Sequence, residues 1–503
     1  MLFRSTAGAK AGKQVYTLRE GVRMTTVETE IGGLSRRNFL KLGAAAGGAI
    51  GVASLLGASG TAEKAQAKIY NTIDEMLEID PEKFKRFDGK NVAFMRARLV
   101  PKGMIPPDDR DNQDLFDQWT GANPDTPFTY GDPGYTQIDY AFEFGGQATY
   151  NLMGASVTGA GRSFDSCVHI TTPSGELAPL TMYGQTSASF PNGGKGGFDV
   201  AKDKYQFESP AQASYALKKA AKVFGADLVG IAPYDERFVY ATEVAMPTDM
   251  EGNLIKERVN LSRPMDFGFE PKSVIVLAFE MDYECFKASG SMIETGATYT
   301  AYSRMAEVGL RVAQFLRKMG YNTYHCGNNA SPSVAEAIRA GLGEGSRMSI
   351  LMTEEYGPRV RLAKVYTDAV FEYDKPKSFG VTEFCEVCQV CADSCPSQAI
   401  THLSINDPEN KPTSLCAQDG IKKYHLDAQK CLINWYLPLD GNDCGICIGV
   451  CPYNKPQIWH HDVLRVMTSI PGFGSIARFF DGFFGYGGIP DEQTLTDFWR
   501  KDI

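Results

Sequence analysis

The sequence predicts an α/β (α+β) core of layered sheet and helices, followed by a smaller domain wrapped around cysteines. Three observations predict it. Between residues 211 and 367 helix-period and strand-period segments alternate. Between Cys385 and Cys451, a span of 67 residues, nine cysteines gather, most of them three or four residues apart. Ahead of both, Ser35-Arg36-Arg37-Asn38-Phe39-Leu40-Lys41 opens an Ala/Gly-rich run that reads as a targeting segment rather than as fold. The chain then divides into residues 1–67, 68–205, 206–375, 376–460 and 461–503.

Composition is that of a globular protein, with 43% apolar and 22% charged residues over 503 positions. Net charge is −9, and no Lys/Arg stripe forms, so nucleic acid is excluded as a partner. Residues 1–67 carry nine basic and four acidic side chains, a net +5, which leaves −14 on the remainder. The Ser-Arg-Arg run is a twin-arginine export signal. It is followed by 17 weakly hydrophobic residues, 42–58, and by Ala65-Gln66-Ala67, an A-x-A cleavage site. Seventeen residues rich in Gly and Ala are marginal for spanning a bilayer, so cleavage near Lys68 is expected rather than anchoring. The stretch before the signal is long, and Met24 competes with Met1 as the start. The twin-arginine route exports folded proteins, which suits a chain that must receive cofactors before export.

Residues 68–205 are rich in aromatics, Pro and Gly. Trp119 is the candidate binding aromatic there, and the Gly-rich loop 191–197 marks a boundary. Next come a helix at 211–224 and strands at 227–232 and 273–279. Ala301, Met305, Val308, Val312, Phe315 and Met319 form one helical face stopped by Gly320. A strand at 321–325 follows. Ser331 and Pro332 suggest an N-cap and first-turn proline for a helix to about 340. Strands are expected at 348–353 and 362–367. The last 40 or so residues carry Phe473, Phe479, Phe480, Phe483 and Phe484, either a wrapped tail or a docking surface.

Cys385, Cys388, Cys391, Cys395 and Pro396 reproduce the C-x2-C-x2-C-x3-C-P run of bacterial ferredoxins. Cys444, Cys447, Cys451 and Pro452 repeat it without the first cysteine, where Gly441 stands. Cys431 is the candidate replacement, with Cys416 as the alternative. In two-cluster ferredoxins the fourth cysteine of each run serves the other cluster. Cys385, Cys388, Cys391 and Cys451 are therefore expected to hold one 4Fe–4S cluster. Cys395, Cys431, Cys444 and Cys447 are expected to hold the second. Zinc prefers one tetrahedral set of four ligands, which two interleaved runs do not resemble. Twelve cysteines could pair as disulfides by count alone, but the spacing favours clusters.

With these motifs in place, the whole chain resembles the respiratory reductive dehalogenases: a twin-arginine signal, an α/β domain, and two terminal 4Fe–4S runs with the second one broken. The resemblance implies a cobalamin-type corrinoid, bound base-off in the α/β core and reduced through the two clusters. It implies a small halogenated organic substrate used as respiratory electron acceptor, and a place on the outer face of the cytoplasmic membrane. It also implies a small integral-membrane anchor subunit as partner, and it allows a homodimer. No protein side chain is expected to ligate cobalt, so His169 and His325 read as structural. The family's Thr and Tyr four residues apart match Thr298 and Tyr302, on one helical face. Its Asn, 26 residues after the Tyr, matches Asn328, and its Arg-Leu pair 33 residues further on matches Arg361 and Leu362. Asn329 and Arg359 are near neighbours that could be mistaken for these.

The residue types suit the chemistry. Reductive dehalogenation needs two electrons and a proton. A phenol with its reference pKa near ~10 is a poor acid at neutral pH. A nearby guanidinium favours phenolate and eases proton donation. Arg361 is expected to play that part for Tyr302, with Asn328 holding the phenolic oxygen. Two rival readings stand beside this one. Epoxyqueuosine reductase shares the corrinoid and cluster architecture and the 355–362 stretch, but it acts on tRNA in the cytoplasm, against the export signal and the absent basic patch. A pure electron-transfer protein would not need the more than 300 residues ahead of the clusters.

Overall fold

The computed structural model describes residues 67–118, 131–146, 169–171, 177–179, 200–245, 260–436, 443–455 and 487–500. The export signal, Trp119, the 191–197 loop and the phenylalanine-rich segment lie outside them.

Helix α1, Pro210–Phe224, starts where Ser209 Oγ accepts the Gln212 amide at 3.1 Å and a proline takes the first turn. It ends at Gly225, whose φ of 112° is left-handed. Strand β1 is Leu228–Pro233 and β2 is Ser273–Glu280. Helix α2, Met292–Lys318, runs 27 residues and is capped by Ser291. Strand β3 is Thr323–Cys326, helix α3 is Ser333–Arg339 and strand β4 is Val360–Thr367. The strands form one sheet in the order β1-β2-β4-β3, antiparallel at every junction.

Both faces of this sheet are covered, which explains why β2 reads as an unbroken apolar run. Ile275, Leu277 and Phe279 pack with Ala363 and Val365 against α1 and α2. Val274, Val276 and Ala278 pack with Leu362 and Tyr366 against α3. Alternation therefore decides what each residue of β4 can reach. Arg361 pairs with Phe279 in register and lies on the α2 side, while Leu362 lies on the α3 side.

Three local expectations need correction. Residues 348–353 do not form a six-residue strand. A turn at Ser346–Ser349, with Ser349 at φ 58°, leaves only Leu351–Met352 paired with Glu344–Gly345. Ser331 does not cap α3. Its hydroxyl accepts the Tyr366 hydroxyl at 2.6 Å, and Pro332 holds the cap position. Helix α2 begins nine residues before the apolar stripe at Ala301, because its first turns are buried all round.

The cysteine-rich part is built from short helices, α4 Val381–Cys388, α5 Val390–Asp393, α6 Ala428–Tyr436 and α7 Ile446–Gly449. It shares a core with Met348, Met352, Phe384, Tyr424 and Tyr453. Arg347, 1% exposed, ties it to the sheet body. Its guanidinium donates to the carbonyls of Cys385, Thr401 and Leu403 at 2.8–3.0 Å. Glu344 adds two backbone bonds, from Phe379 and Val381 at 2.8 and 2.7 Å. Such charge-assisted bonds are worth roughly 1.5–3 kcal/mol each. The cysteine-rich part is thus packed on the sheet body rather than tethered to it.

Candidate active site

Helix α2, the end of β3 and the start of β4 bring the candidate catalytic residues together. Thr298 and Tyr302 stand one turn apart on α2. Asn328, just after β3, donates its Nδ2–H to the Tyr302 hydroxyl at 2.8 Å. Arg361 stands with its guanidinium 4.9 Å from the Tyr302 ring centroid. Its Nη1 lies 3.5 Å from the phenolic oxygen and its Nη2 3.4 Å from Thr298 Oγ1.

Two carboxylates absent from the expected set complete the group. Asp443 Oδ2 accepts from Arg361 Nη2 at 2.6 Å, and Glu294 Oε1 accepts the Thr298 hydroxyl at 2.9 Å. Glu294 is fully buried; burial and then the charge of Asp443 push its pKa well up, against the Thr298 hydrogen bond and Arg361. Burial alone would lower the pKa of Arg361, but Tyr302, Asp443 and Glu294 raise it. The guanidinium therefore stays charged. Glu294, Thr298 and Tyr302 are spaced four apart, so the row was visible once the helix was known to start early. Gly445 makes room for Glu294: a Cβ there would come within 2.4 Å of the carboxyl carbon.

The other expected residues fall elsewhere. Leu362 is buried on the opposite face of the sheet, so it does not touch this group. Arg359, 1% exposed, pairs with Glu280 at 2.9 Å and donates to the Met281 carbonyl. It is a packing cation, distinct from Arg361. His325 is buried in β3 beneath Gly309, where any Cβ would meet its ring at 2.1 Å. Burial holds its pKa down to about 4, so it stays neutral. His169 lies in a short strand, His169–Thr171.

A cavity of about 700 Å³ opens beside this group. Asn328 lines it, as do Cys431 and Trp435 of α6, and residues 70–94 supply another wall. Among the described residues Asn328 is the one candidate catalytic side chain in its wall. The volume lies in the upper part of the range usual for small-molecule sites, and the wall combines aromatic and hydroxyl side chains. A large amide-bearing macrocycle fits such a lining.

The cysteines fall into two neighbourhoods. The Cys451 thiol is pushed up by burial and by the charges of Cys391, Cys388 and Cys385. The Cys447 thiol is pushed up by burial and by Cys431 and Cys444, with Cys391 and Cys395 further off. Cys431, pushed up to about 12, feels burial and then Cys395. Cys416 stands apart, raised by burial within a cluster that holds Ala93, Leu115 and Leu432. Among the described residues no three His, Cys, Asp or Glu side chains converge on a point as a single ion requires. Thiols gathered this closely in two groups suit a metal group that replaces their protons.

Residues 265–370 match the family described as reductive dehalogenase subunit, and residues 384–454 match a 4Fe–4S double cluster binding domain. The tetrachloroethene reductive dehalogenase of Desulfitobacterium hafniense is 35% identical, over 94% of this chain and 99% of that one. Its counterpart in Dehalobacter restrictus is 34% identical with the same coverage. Among solved structures, the catabolic reductive dehalogenase NpRdhA in complex with 3-bromo-4-hydroxybenzoic acid shares the fold with a TM-score of 0.58 at 19% identity. That match covers 86% of this chain, which spans about half of that structure (50%). These similarities define an oxidoreductase that acts on carbon–halogen bonds and carries two 4Fe–4S clusters. The chain belongs to the reductive dehalogenase family.

Proposed function

We propose that this chain replaces chlorine by hydrogen on a chlorinated ethene, with Tyr302 as proton donor and a corrinoid seated in the cavity between Asn328 and Cys431. The reaction balances as R–Cl plus two electrons and a proton giving R–H and chloride. The corrinoid, when bound, supplies the electron-rich cobalt that such bond cleavage needs. The substrate class comes from the full-length relatives named above. The observation that carries the reading is the Tyr302 phenol, faced by the Arg361 guanidinium and held at 2.8 Å by Asn328, which lines that cavity.

Each residue has a defined part. Asn328 fixes the phenolic oxygen. Tyr302 releases its proton towards the substrate carbon. Arg361 stabilises the phenolate left behind, at short range. Asp443 and Thr298 hold the guanidinium in place. Cys385, Cys388, Cys391 and Cys451 are assigned to one cluster, and Cys395, Cys431, Cys444 and Cys447 to the other. Their electrostatic neighbourhoods support that division.

The same reading puts the mature chain on the outer face of the cytoplasmic membrane with a small integral-membrane partner, on the strength of the export signal. No described helix is long and apolar enough to cross a membrane. N-terminal sequencing of the membrane-bound active enzyme tests the export: a start near Lys68 is expected, and Met1 or Met24 refutes cleavage. The activity is tested by incubating the reconstituted enzyme with a reductant and a halogenated panel. Chloride release from tetra- or trichloroethene is expected. A fully loaded enzyme that releases halide only from aromatic substrates overturns the substrate class.

A further inference from the structure

Arg96, Arg339 and Arg359 are buried, and each holds a carboxylate: Asp111, Glu336 and Glu280. Arg347 is as deeply buried and holds none. Its four hydrogen bonds all go to carbonyls, two of them to Cys385 at 2.8 and 3.0 Å, and among the described residues no carboxylate ion-pairs with it. The Tyr424 ring covers it, with its centroid 4.4 Å from the guanidinium carbon. Glu386, half-buried, is engaged by the Tyr424 hydroxyl at 2.6 Å and the Ile405 amide at 2.7 Å rather than by Arg347.

Burying a guanidinium without a counter-ion is costly, and carbonyl dipoles return only part of the lost hydration. The fold places this cation on the peptide of Cys385, the first ligand of the set Cys385, Cys388, Cys391 and Cys451. The Cys385 thiol is pushed up by burial and drawn back by the Arg347 backbone and the Arg347 charge. Cys391, pushed up to about 12 by burial and then Cys388, also feels that charge. Arg347 is absent from the leading influences on Cys431, Cys444 and Cys447. On that side a carboxylate meets the ligand backbone instead, where Asp443 accepts the Cys444 amide at 2.9 Å. Four thiolates around a four-iron core carry net negative charge. They are the counter-charge that the rest of the fold withholds from Arg347.

The inference rests on the division of the cysteines into two ligand sets given above. We propose that Arg347 is the counter-cation of the first cluster and raises its reduction potential selectively, leaving the second cluster little changed. The step concerned is the uptake of one electron by the oxidised cluster, with no proton moved and no bond made or broken. The electron comes from the one-electron reductant that the dehalogenation already needs. Reduction makes the cluster one unit more negative, and a fixed cation at short range in a poorly hydrated setting favours the more negative form. Of the assigned ligands Cys431 alone lines the cavity, so the tuned cluster is the one set back from it. Arg347 touches neither substrate nor reacting atoms; it acts through the cluster.

The experiment is a redox titration of the full chain with its clusters loaded, read by the electron paramagnetic resonance of the reduced clusters. The Cys431→Ser chain, which should keep the first cluster alone, identifies the signal that belongs to it. Arg347→Gln removes the charge. At a fixed potential the reduced-to-oxidised ratio of the first cluster should fall about tenfold, a downward shift of ~59 mV for a one-electron couple, while the second cluster moves much less. Arg347→Lys loses the fork but keeps the charge, so it should restore most of that shift. Glu386→Gln keeps the shape and an acceptor oxygen and removes a negative charge, so the first cluster should shift upward. A purely structural role would cost iron or stability in the Gln and Lys variants alike, without ordering the potentials by charge. With iron retained, no shift, an equal shift of both clusters, or a shift that Arg347→Lys fails to reverse overturns the proposal. If Arg347→Gln loses iron, Glu386→Gln carries the test, and an unchanged first-cluster potential there overturns it. Loaded wild type with about four iron instead of about eight overturns the two-cluster reading itself, so the two failures are told apart.

Discussion

The Asp443 carboxylate joins Arg361 to the backbone of Cys444. One oxygen accepts from Arg361 Nη2 at 2.6 Å, and the other accepts the Cys444 amide at 2.9 Å. Arg361 in turn faces the Tyr302 hydroxyl. The candidate proton donor and a candidate cluster ligand are therefore joined through two side chains. Asp443→Asn keeps the shape and removes the charge. Turnover should fall by about tenfold, in line with the loss of one well-desolvated ion pair. Iron and corrinoid content should hold. An unchanged turnover with full loading would show that Arg361 is oriented by something else.

Tyr302→Phe keeps the ring and removes the proton. Turnover should drop by the ~10²–10⁴-fold typical of general acid–base groups. Near-normal turnover in a fully loaded variant would mean that the proton comes from another group.

Arg361 and Arg359 should separate cleanly. Arg361→Lys keeps a charge but loses the fork that spans Tyr302, Thr298 and Asp443, so turnover should suffer. Arg359→Lys disturbs a partly buried pair with Glu280 that does not touch Tyr302, so thermal stability should fall while turnover per loaded enzyme holds. Melting curves and steady-state assays on the same preparations distinguish the two. The opposite pattern would exchange the roles of the two arginines.

Cys431→Ser should lose one cluster, taking iron from about eight to about four per chain, while Cys416→Ser should keep both. Iron analysis decides between them, and a loss confined to Cys416→Ser would reassign the fourth ligand.

Acid stability should report His325. Burial lowers its pKa from 6.5 to about 4. Below about pH 6.5 the unfolded chain takes up a proton that the folded chain refuses. The stability that the neutral ring contributes is complete above that pH and is lost as pH falls towards 4, by up to roughly 3 kcal/mol. His425, held down to about 4, adds a second share of the same sign. Glu344, pushed up to about 7 by burial, acts in the opposite direction. The informative quantity is thus the difference between wild type and His325→Gln in denaturant unfolding. The variant should lose less stability between pH 7 and pH 5, and parallel curves would show that His325 does not titrate in this way.

What the sequence revealed followed from periodicity and spacing. Helix α1, strand β2 and the stripe of α2 from Ala301 onward have regular apolar patterns, and the cysteine runs have a fixed grammar. The first turns of α2 were hidden because Met292 to Thr298 are buried on every side, so no polar face marks the helix. The same burial hid Glu294, whose carboxyl meets Thr298 only because that segment is helical. Asp443 was hidden for another reason: its partner Arg361 lies 82 residues away in the chain. Leu362 followed Arg361 in a motif, yet in a strand adjacent residues face opposite sides, and only the register tells which one faces α2.

The two cysteine neighbourhoods borrow from each other: Cys451 sits with the first run and Cys395 with the second. On the proposed assignment, neither ligand set is complete until the chain has been made as far as Cys447, some 62 residues beyond Cys385. A ribosome would thus release almost the whole sheet body before either cluster could close. Chains truncated before Cys447 should then hold no cluster at all, which iron analysis of such truncations would read.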